Sequence, residues 1–175
     1  SGMGFPELFA ARKEIDQFPG WSDPEAETGA MWFVAPLAIG GVTQEAFALH
    51  GLALKYAPDC NVCFELKALG PRNRKIPLAR YEWRSLRGGH TNSRRSGSPV
   101  SGQRVTATHH HSFGLNFLPA QGRMRSGNLP QAESVEPEPQ SFESLRGEVG
   151  NLFRINNINI VLPPPWEYGM FGANG

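Results

Sequence analysis

The middle of the chain alternates between apolar-rich runs and turn residues. The four apolar-rich runs cover residues 30–39, 43–56, 62–69 and 76–83. Runs of this length that end at glycine, proline or aspartate are typical of β-strands joined by turns. Within residues 62–69, every second residue is apolar, as in a strand with one face on the core. The pattern predicts an antiparallel meander.

Helical spacing occurs near both ends of the chain. Residues 5–18 predict a short helix that Pro19-Gly20 ends, and Ser141 is the predicted N-cap of a second helix. Further strands are predicted over residues 104–113 and 155–162. Together these elements predict an α+β fold with a single antiparallel sheet of about five to seven strands and two flanking helices.

The length of 175 residues predicts a single domain, 1–175. Residues 1–4 are interpreted as a cleavage remnant and tail. Residues 85–102 are rich in Arg, Ser and Gly and predict a flexible loop. Residues 163–175 predict an extended C-terminal tail, with Trp166 packed back onto the domain.

Composition and charge exclude several classes of protein. The 17 Lys and Arg residues nearly balance the 16 Asp and Glu residues, which excludes a wholly basic nucleic-acid wrapper. The apolar runs are shorter than the roughly twenty residues that cross a bilayer, so we expect no membrane association. Two cysteines cannot form a disulfide framework, and no secretory signal is recognisable. We therefore expect a cytoplasmic protein.

The balanced total conceals a basic block over residues 71–104, which holds nine basic side chains and one acidic side chain. Eight of the nine are arginines, whose guanidinium groups match phosphate oxygens and stack on bases. RNA is therefore a candidate partner, although a solvated loop has the same composition. The candidate nucleic-acid-binding residues are Arg84, Arg87, His90, Arg94, Arg95 and Arg104.

Four of the five histidines lie between residues 90 and 111. On a strand, His109 and His111 project from one face, where two imidazoles can serve as acid and base or as two metal ligands. Buried histidines bonded to nearby hydroxyl groups are the structural alternative. The predicted strand of Arg80 and Glu82 is expected to neighbour the strand of His109. The candidate catalytic residues are Arg80, Glu82, His109 and His111.

A zinc site is a competing interpretation of the same region. Cys60 and Cys63 have the two-residue gap of a zinc knuckle, and histidines could complete a set of four ligands. The gap alone is a weak signal, and small cysteines in apolar strands are more often core residues. The sequence therefore predicts no metal and no cofactor.

The order of these features resembles the TumE-like bacterial toxins of toxin–antitoxin systems and related uncharacterised prokaryotic families. The resemblance covers residues 78–153 and rests on four short motifs. These motifs are Arg80-Tyr81-Glu82-Trp83, His90-Thr91-Asn92, His109-His110-His111 and the helix at Ser141. It implies a small α+β protein that acts on RNA or translation and has an antitoxin as partner. The chain has Glu82 where the family pattern has Asp.

Two hypotheses of function follow. The first is an RNA-directed toxin, a metal-independent ribonuclease that uses His109 and His111 as acid and base. The second is a non-catalytic interaction protein whose Arg-rich loop binds a phosphate-rich or acidic partner. Convergence of the four candidate catalytic residues would favour the first.

Overall fold

The computed structural model describes residues 2–169. One seven-stranded antiparallel sheet, in the order β1-β2-β3-β4-β5-β6-β9, dominates the fold, and β7 and β8 form a small separate ribbon. The helices and strands are α1 (Phe5–Ala10), β1 (Glu14–Ile15), β2 (Ala30–Ile39), β3 (Val42–Leu54), β4 (Val62–Leu69), β5 (Lys75–Trp83), β6 (His109–His111), α2 (Phe113–Asn116), β7 (Phe117–Leu118), β8 (Arg123–Met124), β9 (Glu133–Ser134) and α3 (Phe142–Phe153). The predicted α+β class with a single main antiparallel sheet is confirmed.

The core lies between one face of the sheet and helix α3. The alternation predicted for β4 is confirmed, because Val62, Phe64 and Leu66 are buried on this face. Ser141 caps α3 as predicted and accepts a hydrogen bond from the Ser144 amide. Tyr81 of β5 donates a hydrogen bond to Glu148 of α3 across 2.7 Å, which anchors the helix to the strand.

The opposite face of the sheet is open over its centre and covered at one end. The long connection from β5 to β6 and the segment before β9 cover this end, and they are joined through buried Asn92. Asn92 donates to the Ala132 carbonyl and accepts from the Ala132 amide at 2.8 and 3.0 Å. Residues 85–102, which were predicted as a flexible loop, therefore include one buried and hydrogen-bonded residue, Asn92. Functional side chains of β5 and β6 lie beneath this cover.

Three local predictions differ from the structure. The N-terminal helix ends at Ala10, and Glu14–Ile15 instead forms an edge strand on β2. The predicted strand over residues 155–162 is wrong, because Ile158–Ile160 is a 3₁₀ turn. Its buried residues are Ile155, Ile158 and Val161, a three-residue spacing that fits a 3₁₀ turn and not a strand. The predicted strand over residues 104–113 contracts to His109–His111.

The C-terminal segment lies extended on the domain as far as it is described. Trp166 packs edge-on against Phe142, with ring centroids 6.0 Å apart, so its predicted intramolecular packing is confirmed. Residues 170–175 of the predicted tail, like residue 1, lie outside the described residues. Among residues 2–169, no helix combines the length and the apolar character that crossing a bilayer requires.

We expect Lys13 to be a stability determinant. Its buried Nζ donates to the carbonyls of Phe9, Ala11 and Phe153 at 2.8–2.9 Å, so it joins α1 to the end of α3. Lys13→Met leaves these carbonyls without their donor. We expect the free energy of unfolding to fall by about 1–3 kcal/mol, measured by urea denaturation. Arg12→Met, at an exposed neighbour, is the control, and equal effects of the two changes would contradict this role.

Candidate metal centre

The pairing of β5 with β6 brings the predicted catalytic residues together. In this register Glu82 lies opposite His109 and Arg80 lies opposite His111, which confirms the predicted neighbouring strands. The four residues belong to the face of the sheet opposite α3. His110, between the two histidines, faces the core near Tyr81 and Phe153.

His109 and His111 are held by the same kind of hydrogen bond. Nδ1 of His109 donates to the Thr106 carbonyl at 2.8 Å, and Nδ1 of His111 donates to the Leu129 carbonyl at 2.7 Å. A carbonyl can only accept, so Nδ1 of each ring carries a proton. In the neutral form of either ring the lone pair is then on Nε2, and this arrangement is typical of metal-ligating histidines.

Glu82 faces both of these nitrogens. Its Oε2 lies 2.5 Å from Nε2 of His109 and 3.6 Å from Nε2 of His111. Both Nε2 atoms are buried, and Nε2 of His111 has no hydrogen-bond partner. A hydrogen bond from His109 holds the pKa of the Glu82 carboxyl well below its usual range, so Glu82 is ionised at neutral pH.

His90 completes the group from the covering loop. Its ring stacks on His111 with centroids 5.4 Å apart and planes 8° apart. Nε2 of His90 lies 3.1 Å from Oδ1 of Asn92. The Asn92 amide hydrogens go to the carbonyls of Val100 and Ala132, so Oδ1 is the acceptor and fixes the His90 ring. Burial lowers the pKa of His90, which favours its neutral form.

One ligand nitrogen from each of His90, His109 and His111 lies within 4.8 Å of the others. Nitrogens that share a tetrahedral ion at about 2.1 Å are about 3.4 Å apart, so modest side-chain rotation closes the set. With Glu82 the group offers three imidazoles and one carboxylate. Within residues 2–169 it is the one group of three or more such side chains with this spacing.

Arg80 adjoins the centre but is committed elsewhere. Its guanidinium pairs with Glu65 at 2.6 Å, and NH2 donates to Oδ1 of Asn128 at 2.9 Å. The structure therefore brings Glu82, His109 and His111 together as a set and places Arg80 beside them in a separate ion pair. Asn128 precedes Leu129, whose carbonyl holds His111, so Arg80 supports the shell of the centre.

The predicted nucleic-acid-binding residues divide into three groups. His90 belongs to the histidine cluster. Arg84 is held inside the fold by Glu138 at 2.9 Å and by the face of Trp83, with 4.6 Å to the ring centroid. The remaining members have exposed side chains on the covering loop: Arg87, Arg94, Arg95 and Arg104.

The two cysteines are not members of the histidine group. Cys63 belongs to the open face of β4, opposite Glu82 on β5, and Cys60 lies in the preceding turn. Cys63 is therefore not the apolar core residue that the sequence favoured. Burial raises the pKa of its thiol, which keeps it protonated.

Sequence reasoning missed the supports of this centre. Asn92 and the carbonyls of Thr106 and Leu129 orient the three rings, and two of these supports are main-chain atoms. A main-chain acceptor has no signature in the sequence. The His90-x-Asn92 spacing was the available signal, since a polar side chain two residues from a histidine can bond to it.

A cleft of about 400 Å³ reaches one residue of the group, Glu82. It lies between the open ends of β3, β4 and β5, and Glu82, Cys63, Leu52 and Leu86 are among its lining residues. The side chain of Glu82 is 32% exposed, against 1% for that of His109. A small molecule in the cleft would therefore meet Glu82 first.

Comparisons of the chain with protein-family models, with curated proteins and with solved structures find no match. The resemblance to TumE-like toxins therefore stays a prediction. The functional argument depends on the geometry of the site.

We predict that Gly89→Ala displaces His90. A Cβ at Gly89 would lie 1.6 Å from the Val105 carbonyl oxygen, and the Val105 amide bonds to the His90 carbonyl. The loop must then shift, and we expect the affinity for Co²⁺ to fall at least tenfold, measured by titration. Gly147→Ala on the exposed side of α3 meets no atom within 4 Å and is the control. Equal Co²⁺ affinity of the two variants would contradict this prediction.

Proposed function

We propose that this protein is a metal-dependent enzyme. In this proposal His90, His109, His111 and Glu82 hold one divalent transition-metal ion. The observation that carries it is the convergence of ligand nitrogens from His90, His109 and His111 within 4.8 Å of one another, with the carboxylate of Glu82 facing His109 and His111.

Without a cation, this arrangement is costly. A proton on Nε2 of His109 would pair with Glu82 at 2.5 Å, but Nε2 of His111, at 3.6 Å from the carboxylate, would still be buried without a hydrogen-bond partner. A divalent cation satisfies both nitrogens and the carboxylate at once. The Nδ1 bonds to main-chain carbonyls support the same conclusion, because they present each Nε2 as a ligand.

The metal-independent ribonuclease inferred from the sequence requires different access. A catalytic acid or base must come within hydrogen-bond reach of its substrate. His109 is 1% exposed and His111 is 6% exposed, so neither ring can touch an RNA phosphodiester in this conformation. A ligand role is compatible with that burial, because the ion and not the imidazole meets the substrate.

The ligand set favours a catalytic ion over a structural one. Structural zinc sites use mainly cysteine thiolates, whereas three histidines or a mixture of histidine and carboxylate are typical of catalytic sites. Imidazole and carboxylate together suit Zn²⁺, Fe²⁺, Co²⁺ or Ni²⁺. With four protein ligands, a water position requires a coordination number above four, and the cleft beside Glu82 would be the approach to it.

The reaction class that we propose is hydrolysis. A bound ion of this kind lowers the pKa of a coordinated water from 15.7 to about 7, which makes a nucleophile available at neutral pH. Ionised Glu82 is the ligand on the side of the cleft. Its carboxylate partly neutralises the ion and defines which face of the ion the substrate approaches.

Cobalt titration tests the ion site. We expect one Co²⁺ per chain with visible absorption bands, and at least about a 100-fold loss of affinity in His109→Ala or His111→Ala. His50→Ala is the matched control, because His50 belongs to the same open face but lies outside the cluster. Unchanged Co²⁺ affinity in both cluster variants would refute the metal centre.

Azide addition tests whether the ion is catalytic. An open coordination position accepts azide, so we expect the absorption bands of the cobalt-loaded protein to change. A spectrum that azide leaves unchanged means a closed structural site and overturns the enzyme proposal. RNA cleavage that persists in metal-free protein also overturns it and favours acid–base catalysis.

A further inference from the structure

A second cleft on the open face is strongly basic. It has a volume of about 610 Å³ and lies on the far side of Arg80 from Glu82. Its acidic lining residue is Glu65. Its five basic lining residues are Lys67, Arg74, Lys75, Arg123 and Arg125.

The single acid of this cleft is already neutralised. Glu65 pairs with Arg80 at 2.6 Å and with Lys67 at 3.2 Å. In the described part of the chain, neither Arg74 nor Lys75 pairs with an acidic side chain, and both are exposed. The cleft therefore presents uncompensated positive charge to solvent.

The charge continues into a neighbouring cleft of about 280 Å³. The two clefts share Arg123, Arg125 and Ser126, and the second adds Arg95 from the covering loop. Arg125 is fixed in place by the carbonyls of Leu115 and Ser96. The result is an elongated basic groove instead of a pocket for one small anion.

We infer that this groove binds the phosphate backbone of single-stranded RNA. Successive cations along a groove match successive phosphates, and apolar walls at Phe5, Pro77 and Met124 give bases a surface to pack on. A double helix keeps its bases stacked inside, so it offers none to these apolar walls, whereas a single strand does. An acidic peptide would match the charge but has no bases for the apolar walls.

The groove adjoins the metal centre through shared residues. Asn128 and Leu129 line it, and the Leu129 carbonyl also holds His111. RNA in the groove would therefore lie next to the support of His111, and it would have to pass Arg80 to reach Glu82 and the 400 Å³ cleft. The inference goes beyond the proposed function and names its substrate class, but it does not require a metal.

Fluorescence anisotropy with a labelled 12-nucleotide single-stranded RNA tests it, on the full chain with chelator present. We expect an association constant whose logarithm falls linearly with the logarithm of the salt concentration. The slope should be about −0.7 for each phosphate contacted. The triple variant Arg74→Ala, Lys75→Ala and Arg123→Ala should flatten that slope by about 2 units and weaken binding at low salt at least tenfold.

The matched control removes the same charge from the covering loop. The triple variant Arg87→Ala, Arg94→Ala and Arg104→Ala should retain most of the affinity and slope. A loss of RNA affinity confined to this loop variant would overturn RNA binding in the groove and would favour the Arg-rich loop as the binding site. Circular dichroism of both variants confirms that they fold.

Competitors identify the ligand class. Unlabelled single-stranded RNA should displace the probe at a concentration at least tenfold lower than double-stranded RNA or polyglutamate. Equal displacement by polyglutamate would overturn RNA recognition in favour of an acidic protein partner. Because the assay is metal-free, its failure leaves the cobalt result standing, and a failed cobalt titration leaves the RNA result standing.

Discussion

Antiparallel pairing between β5 and β6 is the constraint on which the functional part of this structure depends. It places Glu82 opposite His109 and puts both outer histidines of the triplet on one face. A slip of one residue would turn His109 and His111 into the core and bring His110 to the open face. The core resists that slip, because Tyr81 packs against His110 and bonds to Glu148 of α3. Packing on the α3 side of the sheet thus determines which side chains lie on the open face.

Much of the sheet was predictable, since alternation in β4 and the turn residues between runs report local geometry directly. The neighbouring strands of Arg80 and His109 were also predictable, because strands that follow one another commonly pair. The end of helix α1 at Ala10 was not predictable, because it depends on the pairing of β1 with β2 and on the hydrogen bond from Lys13 to Phe153. Residues 155–162 are rich in isoleucine and therefore resembled a strand, but close packing of Ile158 against Gly150 of α3 favours a 3₁₀ turn.

The candidate site, like the fold, has some features that the sequence predicts and others that it does not. The residue types at Glu82, His109 and His111 were readable, because a strand period sets which side chains share a face. Their role was not readable from the sequence, because acid–base catalysis and metal ligation use the same side chains. Burial of Nε2 and the Nδ1 bonds separate the two roles, and both depend on carbonyls from distant segments. His90 was assigned to nucleic-acid binding because it lies in the Arg-rich loop, and its place in the histidine cluster depends on Asn92, which Ala132 orients from forty residues away.

Arg80 gives a physical reason for two distinct regions on one sheet face. It lies between the basic groove and the histidines, and its charge is taken up by Glu65 and Asn128. An unpaired guanidinium at this position would repel a divalent ion at the neighbouring histidines. Pairing with Glu65 neutralises the guanidinium and so removes that repulsion. It also neutralises Glu65, which would otherwise compete with phosphate for the cations of the groove. One ion pair would therefore make the proposed cation site and the proposed RNA groove compatible on one face of the sheet.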